Sequence, residues 1–566
     1  MRAEWKTILG LGGIMLFLLL AFAAYSIWNN RDRKRRMLAK IRADWGAWPE
    51  REYDYYQWNA LQGYFDNKKC ETFQIDEITW EDLDLSRVFM LLNHTNSFMG
   101  EGYLYYLLHT PSFDERELKE RERLIQYFTE HDMQREKLQM FFCETGKAGR
   151  NSIFDAVYNL AEAVTVSNWH HFLMAGLFTL SIIVLLLIPS PGILFLILAM
   201  FITMRDYYKY KRPVEKYIIS CGYLLRTLQC AQNMGKLDAP QIREYQQWTV
   251  KAAKAFGKFK RNTFFLMAGS VTDDNILKGL LMYLNVCFHI DLIQFSTIVK
   301  EIKQHIGEFE ILVEEMGKIE SAIAIASYRQ CMKEWCVPQL IKGEAPKLSA
   351  RELYHPLIRE PVKNSVCAQR GVLLTGSNAS GKSTFLKTVA INAILAQTVH
   401  TSLADHWESS YFRVFSSMAL QDDLEGRESY YIVEIKSLKR ILDAMGNPTP
   451  VLCFVDEVLR GTNTVERVAA SSQVLKYMTG KSVLCFAATH DIELTHILEH
   501  YYDNYHFQEE VRDNDVVFDY HLYPGRAVSR NAIKLLSVMG YDREVIQAAE
   551  DAAADFLTTG EWKTVN

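Results

Sequence analysis

The octapeptide Gly376-Ser377-Asn378-Ala379-Ser380-Gly381-Lys382-Ser383 fills the pattern G-x-x-x-x-G-K-[ST]. It lies between the apolar run Val372-Leu373-Leu374-Thr375 and the helix-forming stretch STFLKTVAINAILA. That setting demands a strand, a tight glycine turn and a helix in succession, because the loop amides must meet phosphate oxygens at the start of a helix. On this reading the glycines let the backbone curl, Lys382 reaches the β and γ phosphates, and the Ser383 hydroxyl binds Mg²⁺. Val451 to Val455 runs directly into Asp456-Glu457. Asp456 is expected to hold Mg²⁺ through its water shell, and Glu457 to polarise the water that attacks the γ phosphate. Ser482 to Ala488 runs into Thr489-His490-Asp491, which puts the His490 imidazole at the same strand edge as a sensor of that phosphate. Short β-rich runs alternating with helical segments after Pro346 signal an α/β domain with a largely parallel sheet.

The segments before Pro346 have a different texture. Thr7 to Trp28 carries no charge and is long enough, at about 1.5 Å per residue, to cross a hydrocarbon core of roughly 30 Å. Arg31, Arg33, Lys34, Arg35 and Arg36 follow, and by the positive-inside bias they put the rest of the chain in the cytoplasm. Phe172 to Met204 is equally apolar, is interrupted by Pro189-Ser190-Pro191-Gly192, and is followed by Arg205, Lys209, Lys211 and Arg212. It reads as a membrane hairpin with that turn between its arms. A third apolar stretch, Leu280 to Phe295, contains Asn285, His289 and Asp291 and reads as one buried core helix. Ile302, Ile306, Phe309, Leu312, Met316 and Ile319 recur at helical spacing and describe the inward face of an amphipathic helix.

Composition narrows the partners. The 566 residues are 23% charged with a net charge of −5, so no broad basic field announces nucleic acid. Any such contact must be local, as at Lys251 to Arg261 (KAAKAFGKFKR). The ten cysteines have no C-x-x-C pair, which argues against both a zinc site and a disulfide framework.

Several segments resemble the MutS family, whose ATPase domain is of the ABC type. TGSNASGKST is similar to that family's P-loop, FVDEVLRGTNT to its Walker B and D-loop, and FAATHDIELT to its switch-histidine segment. The resemblance implies ATP and Mg²⁺ as cofactors and nucleotide contacts from Gly376, Asn378, Gly381, Lys382, Ser383 and Thr384. Asp422-Asp423-Leu424 followed by Ser429-Tyr430-Tyr431-Ile432-Val433-Glu434 resembles the signature segment, which implies that Ser429 reaches the nucleotide of a second subunit in trans. PGRAVSRNAIKLLSVMGYDREVI resembles the closing dimerisation segment. Farther back, Asn93-His94-Thr95, Phe98-Met99-Gly100 and Leu108-His109-Thr110-Pro111 are similar to the family's core opening, and Met316 to Ser327 to the end of its levers. Three features depart from the pattern. No counterpart of the mismatch-reading module precedes Asn93, Val362 stands where the family has an aromatic near the adenine, and Leu459 replaces a D-loop glycine.

The expected organisation is a transmembrane helix over 1–30, a helical core segment over 31–170, a transmembrane hairpin over 171–206, a helical lever segment over 207–345, and over 346–566 an α/β ABC-type P-loop ATPase domain with the dimerisation segment. The expected function is a membrane-anchored, MutS-like ATPase working as a homodimer on DNA. Its rival is an ATP-driven membrane machine without DNA.

Overall fold

The alternating runs after Pro346, joined by a short strand at 339–341 that the sequence alone assigns to the helical segment 207–345, form two sheets in the computed structural model, which describes residues 2–566 except 69–71, 148, 150–151, 160–167, 258, 260–275, 344, 378–379, 419–429, 460–461, 480–481, 513–514, 528–532, 534–535, 537–539, 561, 563 and 565–566. In chain order the described helices are α1 (Arg2–Asp44), α2 (Tyr55–Asn67), α3 (Glu77–Asp82), α4 (Leu85–Leu92), α5 (Phe98–His109), α6 (Glu115–Glu130), α7 (Asp132–Thr145), α8 (Ile153–Tyr158), α9 (Asn168–Leu187), α10 (Pro189–Met234), α11 (Arg243–Ala255), α12 (Ile276–Phe288), α13 (Ile290–Gln304), α14 (Ile306–Met332), α15 (Lys382–Thr398), α16 (Tyr430–Ala444), α17 (Thr464–Tyr477), α18 (Ile492–Ile497) and α19 (Arg543–Thr559). The strands are β1 (Gln339–Ile341), β2 (Leu348–Leu353), β3 (Asn364–Ala368), β4 (Gly371–Thr375), β5 (His406–Ser410), β6 (Arg413–Ser417), β7 (Val451–Asp456), β8 (Val483–Ala488), β9 (Tyr502–Arg512) and β10 (Asp515–Pro524). The chain divides into two units, one of Met1–Lys69, Asn93–Tyr106 and Arg123–Cys331, the other of Cys70–Leu92, Leu107–Glu122 and Met332–Asn566.

The second unit holds a six-stranded sheet in the order β10-β9-β4-β8-β7-β6, parallel throughout except for β10, and a four-stranded sheet in the order β1-β5-β2-β3. β4, β7 and β8 are almost wholly apolar and buried, as strands covered on both faces must be. The edge strand β6 is covered by α3: Thr79 Oγ1 accepts the Ser416 N–H at 3.2 Å, and Asp82 accepts from Ser416 Oγ at 2.7 Å and the Met418 N–H at 2.9 Å. The unit therefore includes residues 70–92 and 107–122, which the sequence alone assigns to the helical segment 31–170.

In the first unit, α9 and α10 pack along one another as a helical hairpin. Asn168–Leu187 and Pro189–Glu215 are long and apolar enough to cross a membrane. Leu173, Leu180, Ile183, Leu194, Ile197 and Phe201 point away from the protein. The Pro189-Ser190-Pro191-Gly192 segment is not the loop that its composition suggests. It is the first turn of α10, with Pro189 where a missing N–H costs nothing. Gly192 permits the tight crossing, since a Cβ there would lie 2.4 Å from the Leu185 Cα. The expected N-terminal span lies within α1, which runs unbroken past the arginine cluster to Asp44, and Arg42 pairs with Glu136 on α7 through bonds of 2.7 and 2.8 Å.

Leu280 to Phe295 is not one core helix. It divides between α12 and α13, which meet at about 80° around His289, a residue in the left-handed region at φ 53°. The three polar residues that interrupt the apolar run are all buried, and Asp291 accepts from the Tyr207 hydroxyl at 2.7 Å and from Lys211 at 2.8 Å. The amphipathic stripe likewise divides, with Ile302 on α13 and the rest on α14, where Phe309, Leu312, Met316 and Ile319 are fully buried.

The same unit joins the core-opening segment to α14. Glu320 is buried, accepts from the Asn96 and Ser97 amides at 2.5 and 2.9 Å and from the Ser97 hydroxyl, and so caps the start of α5. Burial pushes the Glu320 carboxyl up to about 7, with those bonds opposing and Glu101 adding to the rise. The native chain therefore holds a proton that the unfolded chain releases near its ordinary 4.5. This contribution to stability is complete below the unfolded value and is lost as pH rises through about 7. Urea unfolding across that window should show a falling stability, by up to about 1.4 kcal/mol per pH unit from this group. Glu320→Gln should flatten the slope, and an unchanged slope would refute the assignment.

Candidate functional site

β4, β8 and β7 lie side by side with Leu374 opposite Ala488 and Ala488 opposite Asp456. The three strands end on one row, so the residues that follow them meet at the carboxyl edge, where open α/β sheets place ligands. After β4 the chain turns through Gly376 at φ 148° and Gly381 at φ 107°, and Gly381 caps α15. A Cβ on Gly376 would stand 2.9 Å from both the Phe507 carbonyl oxygen and Ser380 Oγ. Glycine alone suits that backbone and that space. The first amides of α15, at Lys382, Ser383 and Thr384, have no partner within the helix and form the positive end of its dipole.

Lys382 is buried and folds back, donating Nζ to the carbonyls of Gly376 at 2.8 Å and Ser377 at 2.7 Å. Burial holds its ammonium below the usual lysine range, against the opposing pull of Asp456, Glu457 and Glu509. Ser383 hydrogen-bonds the Asp456 carboxylate. Burial raises that carboxyl above its ordinary value, the Ser383 bond lowers it, Glu457 raises it, and Lys382 and His490 lower it. Glu457 sits in the left-handed region at φ 59°, held by its N–H bond to the Ala488 carbonyl at 2.9 Å, and its Oε1 lies 2.6 Å from His490 Nε2. Asp491 is clamped by Arg467 through bonds of 2.8 and 2.6 Å, which fixes the turn carrying His490.

Leu459, which stands where the resembling family has a glycine, adopts a backbone conformation that favours glycine. It is left-handed at φ 59°, its N–H donates to the Glu434 carboxylate, and its side chain is buried among Val455, Val458 and Leu475. Beside the glycine turn lies a cavity of about 360 Å³ lined by Val362, Gly381, Thr384, Phe385, Phe507 and Tyr520 among others. Tyr520, at φ 56°, stands in a register irregularity of β10 between Phe518 and Leu522. Asn364 fixes it there, donating to the Tyr520 carbonyl at 3.0 Å and accepting from the Leu522 N–H at 2.7 Å.

The structure thus brings together Gly376, Gly381, Lys382, Ser383, Thr384, Asp456, Glu457 and His490. Asn378 and Ser429, with Asp422-Asp423-Leu424, lie outside the described residues. Chemically the set offers a helix start that attracts anions, one cation, two hard oxygen donors and a carboxylate–imidazole pair able to move a proton. Sequence reasoning missed Phe507, Tyr520, Asn364, Glu509 and Arg467. Glu509 accepts from Ser377 Oγ within the glycine turn, yet it comes from β9, far along the chain. The only local signal for the aromatics is two strands rich in tyrosine and phenylalanine, YDNYHFQEEVR and DVVFDYHLYP, which any buried sheet also carries.

Residues 372–557 match the family model described as MutS domain V. The DNA mismatch repair protein MutS 2 of Haloarcula marismortui is 34% identical over 192 residues, covering 33% of this chain and 20% of that protein. The DNA mismatch repair protein MutS of Thermotoga maritima is 27% identical over 265 residues, 45% of this chain and 33% of that protein. MutS of Pseudothermotoga lettingae is 31% identical over 217 residues, 36% and 26% respectively. The match thus spans between a fifth and a third of the length of these relatives. Over residues 372–557, about a third of its length, this chain is thus similar to domain V of MutS proteins.

Proposed function

We propose that the chain is a MutS-like ATPase that hydrolyses ATP with Mg²⁺ at the carboxyl edge of its six-stranded sheet, acts as a homodimer and couples hydrolysis to DNA binding. The observation that carries this reading is the convergence of Lys382, Ser383, Asp456, Glu457 and His490 around the glycine turn. The residues fit a phosphate and its metal. Ser380 Oγ is buried in the turn without a partner among the described residues, and Gly376 leaves no room for a Cβ. Ser383 and Asp456 are the oxygen donors that Mg²⁺ prefers.

In this reading the amides of the turn and of the first turn of α15 bind the phosphates, and Lys382 leaves the Gly376 and Ser377 carbonyls to join them. Gly376 and Gly381 shape the cradle, Thr384 borders it, and the family resemblance adds a contact from Asn378. Ser383 and Asp456 hold Mg²⁺, which when bound neutralises charge on the phosphates. Glu457 takes the proton of the attacking water, and His490, paired with it at 2.6 Å, positions that carboxylate and senses the γ phosphate. Phe507 and Tyr520 line the cavity beside Val362 and supply the aromatic surface for the base. Ser429 completes the site of a second subunit, as the family resemblance implies.

The outward apolar surface of α9 and α10 supports membrane lipid as a further partner, with Met1 outside and residues 31 to 170 and 205 to 566 in the cytoplasm. The same surface favours a second reading, in which the ATPase drives the hairpin without DNA. Duplex binding by the full chain in detergent separates them. An affinity that falls steeply with salt supports the DNA reading, and no binding at low salt supports the membrane machine.

Lys382→Ala should abolish nucleotide binding, whereas Glu457→Gln should bind ATP and turn it over about 100-fold or more slowly. Tyr520→Ala should raise KM for ATP by about 5- to 10-fold with kcat little changed, since a lost stacking contact is worth about 1 kcal/mol. Steady-state hydrolysis and equilibrium binding measure all three, and wild-type turnover in Glu457→Gln would remove the base. For topology, a cysteine placed on the exposed face of α19 should resist an impermeant thiol reagent in intact cells and react after permeabilisation. Labelling in intact cells would reverse the orientation.

A further inference from the structure

The break between α12 and α13 brings His289 against the open end of the α9–α10 hairpin. His289 Nδ1 lies 3.1 Å from His171 Nδ1, and His289 Nε2 lies 3.1 Å from the Thr203 carbonyl oxygen. Asp206, one turn beyond Thr203, is bonded at Oδ2 by His170 Nε2 at 2.7 Å. One ligand atom from each of His171, Asp206 and His289 falls within 4.8 Å of the other two. His171 and His289 are 3% and 0% exposed.

The hydrogen bonds decide what these atoms present. A carbonyl oxygen only accepts, so His289 Nε2 carries the proton and its Nδ1 turns a lone pair towards His171. Two imidazole nitrogens bound at about 2.0–2.1 Å to one tetrahedral ion stand about 3.3 Å apart. The observed 3.1 Å separation is within about 0.2 Å of that value. The Thr203 carbonyl and His170 occupy the outer positions that orient metal-binding imidazole and carboxylate groups. Asp206 pairs with His170 and with no lysine or arginine among the described residues, and Lys211 is engaged by Asp291 at 2.8 Å. The backbone at His289 is held in the left-handed region, uncommon for a residue with a side chain, and that turn is what aims its Nδ1 at His171.

We propose that His171, Asp206 and His289 bind one divalent transition-metal ion of the zinc type, fastening the open end of the hairpin to the kink between α12 and α13. Two imidazoles and one carboxylate suit Zn²⁺ and its neighbours over Mg²⁺ or Ca²⁺, and three protein ligands leave a fourth position for water. By helical rise the site lies roughly 25 Å from the hairpin tip at Ile188, at the boundary where the basic residues Arg205, Lys209, Lys211 and Arg212 begin. The cysteine spacing that argued against a zinc site bears only on cysteine ligands.

The test uses the full chain in detergent, stripped with a chelator and dialysed against Zn²⁺ or Co²⁺ without nucleotide. Wild type should retain one more Zn²⁺ per chain than His171→Gln, and its Co²⁺ form should show the visible bands of a four-coordinate ion, which His171→Gln loses. Asp206→Asn should weaken Zn²⁺ binding by about 10- to 100-fold. His171→Cys keeps a ligand in place, so it should restore binding and add a thiolate-to-Co²⁺ charge-transfer band, which separates ligand loss from misfolding. Circular dichroism and ATP hydrolysis, whose residues lie elsewhere, check that each variant is folded. Equal Zn²⁺ content and identical Co²⁺ spectra in wild type and His171→Gln would overturn the proposal and leave an ordinary hydrogen bond between two histidines.

Discussion

The row of residues Leu374, Ala488 and Asp456, matched across three parallel strands, fixes everything at the candidate site. Parallel hydrogen bonding lets β4, β8 and β7 end at a common level, so the glycine turn, the histidine turn and the acidic pair leave the sheet together. Two further bonds continue the register beyond the strands, from the Thr489 N–H to the Leu374 carbonyl at 3.0 Å and from the Glu457 N–H to the Ala488 carbonyl at 2.9 Å. A slip of one residue in β7 would turn Asp456 to the opposite face of the sheet and separate it from Ser383. The wholly apolar character of β4, β7 and β8 secures the level of the strands through burial on both sides, and their polar ends are what remains for chemistry.

Two residues with side chains, Glu457 and Leu459, hold left-handed backbone immediately after β7. Such conformations cost of order 1–2 kcal/mol each and persist only where the surroundings overdetermine them. Here the restraints are visible. Glu457 is tied to Ala488 by its amide and to His490 by its carboxylate, while Leu459 is tied to Glu434 by its amide and buried by its side chain. Leucine thus holds here a backbone that glycine more commonly adopts. Glycine would reach φ 59° at no steric cost, whereas leucine is held there by the core into which it packs.

Much of this was legible in the sequence because it is local. The glycine turn, the strands on either side of it and the carboxylates at Asp456 and Glu457 follow from contiguous residues, and the observed β4, β7 and β8 begin and end within a residue of the expected runs. What was illegible depends on contacts between distant segments. Leu280 to Phe295 has the composition of one helix, and only the bond from His289 to Thr203 and its left-handed backbone show why it breaks. Pro189-Ser190-Pro191-Gly192 has turn composition, yet proline at a first helical position and glycine at a close crossing are equally consistent with a helix start. Tyr520 could not be singled out from its neighbours, because its place depends on an irregularity in β10 pinned by Asn364 on β3. The assignment of 70–92 to the unit that holds the sheets rests on polar contacts from Thr79 and Asp82 that leave no periodic trace.

The hairpin poses the opposite problem to the sheet. Its helices turn apolar side chains outward, so the polar groups they carry must find partners within the protein. Thr179 and Thr203 return their hydroxyls to carbonyls of their own helices at 2.8 and 3.0 Å, and Ser181 bonds the Phe178 carbonyl at 2.7 Å. Ionisable groups are confined to the open end, where Asp206 meets His170 and Asp291 gathers Tyr207 and Lys211. Asp291 follows directly on the break at His289, and that break is what allows α12 and α13 to deliver Asn285, His289 and Asp291 to the buried side. A straight helix through the same residues would leave some of the three facing outward, because positions 285, 289 and 291 do not share one helical face. The kink therefore follows from the need to hide three polar residues at the mouth of an otherwise apolar hairpin.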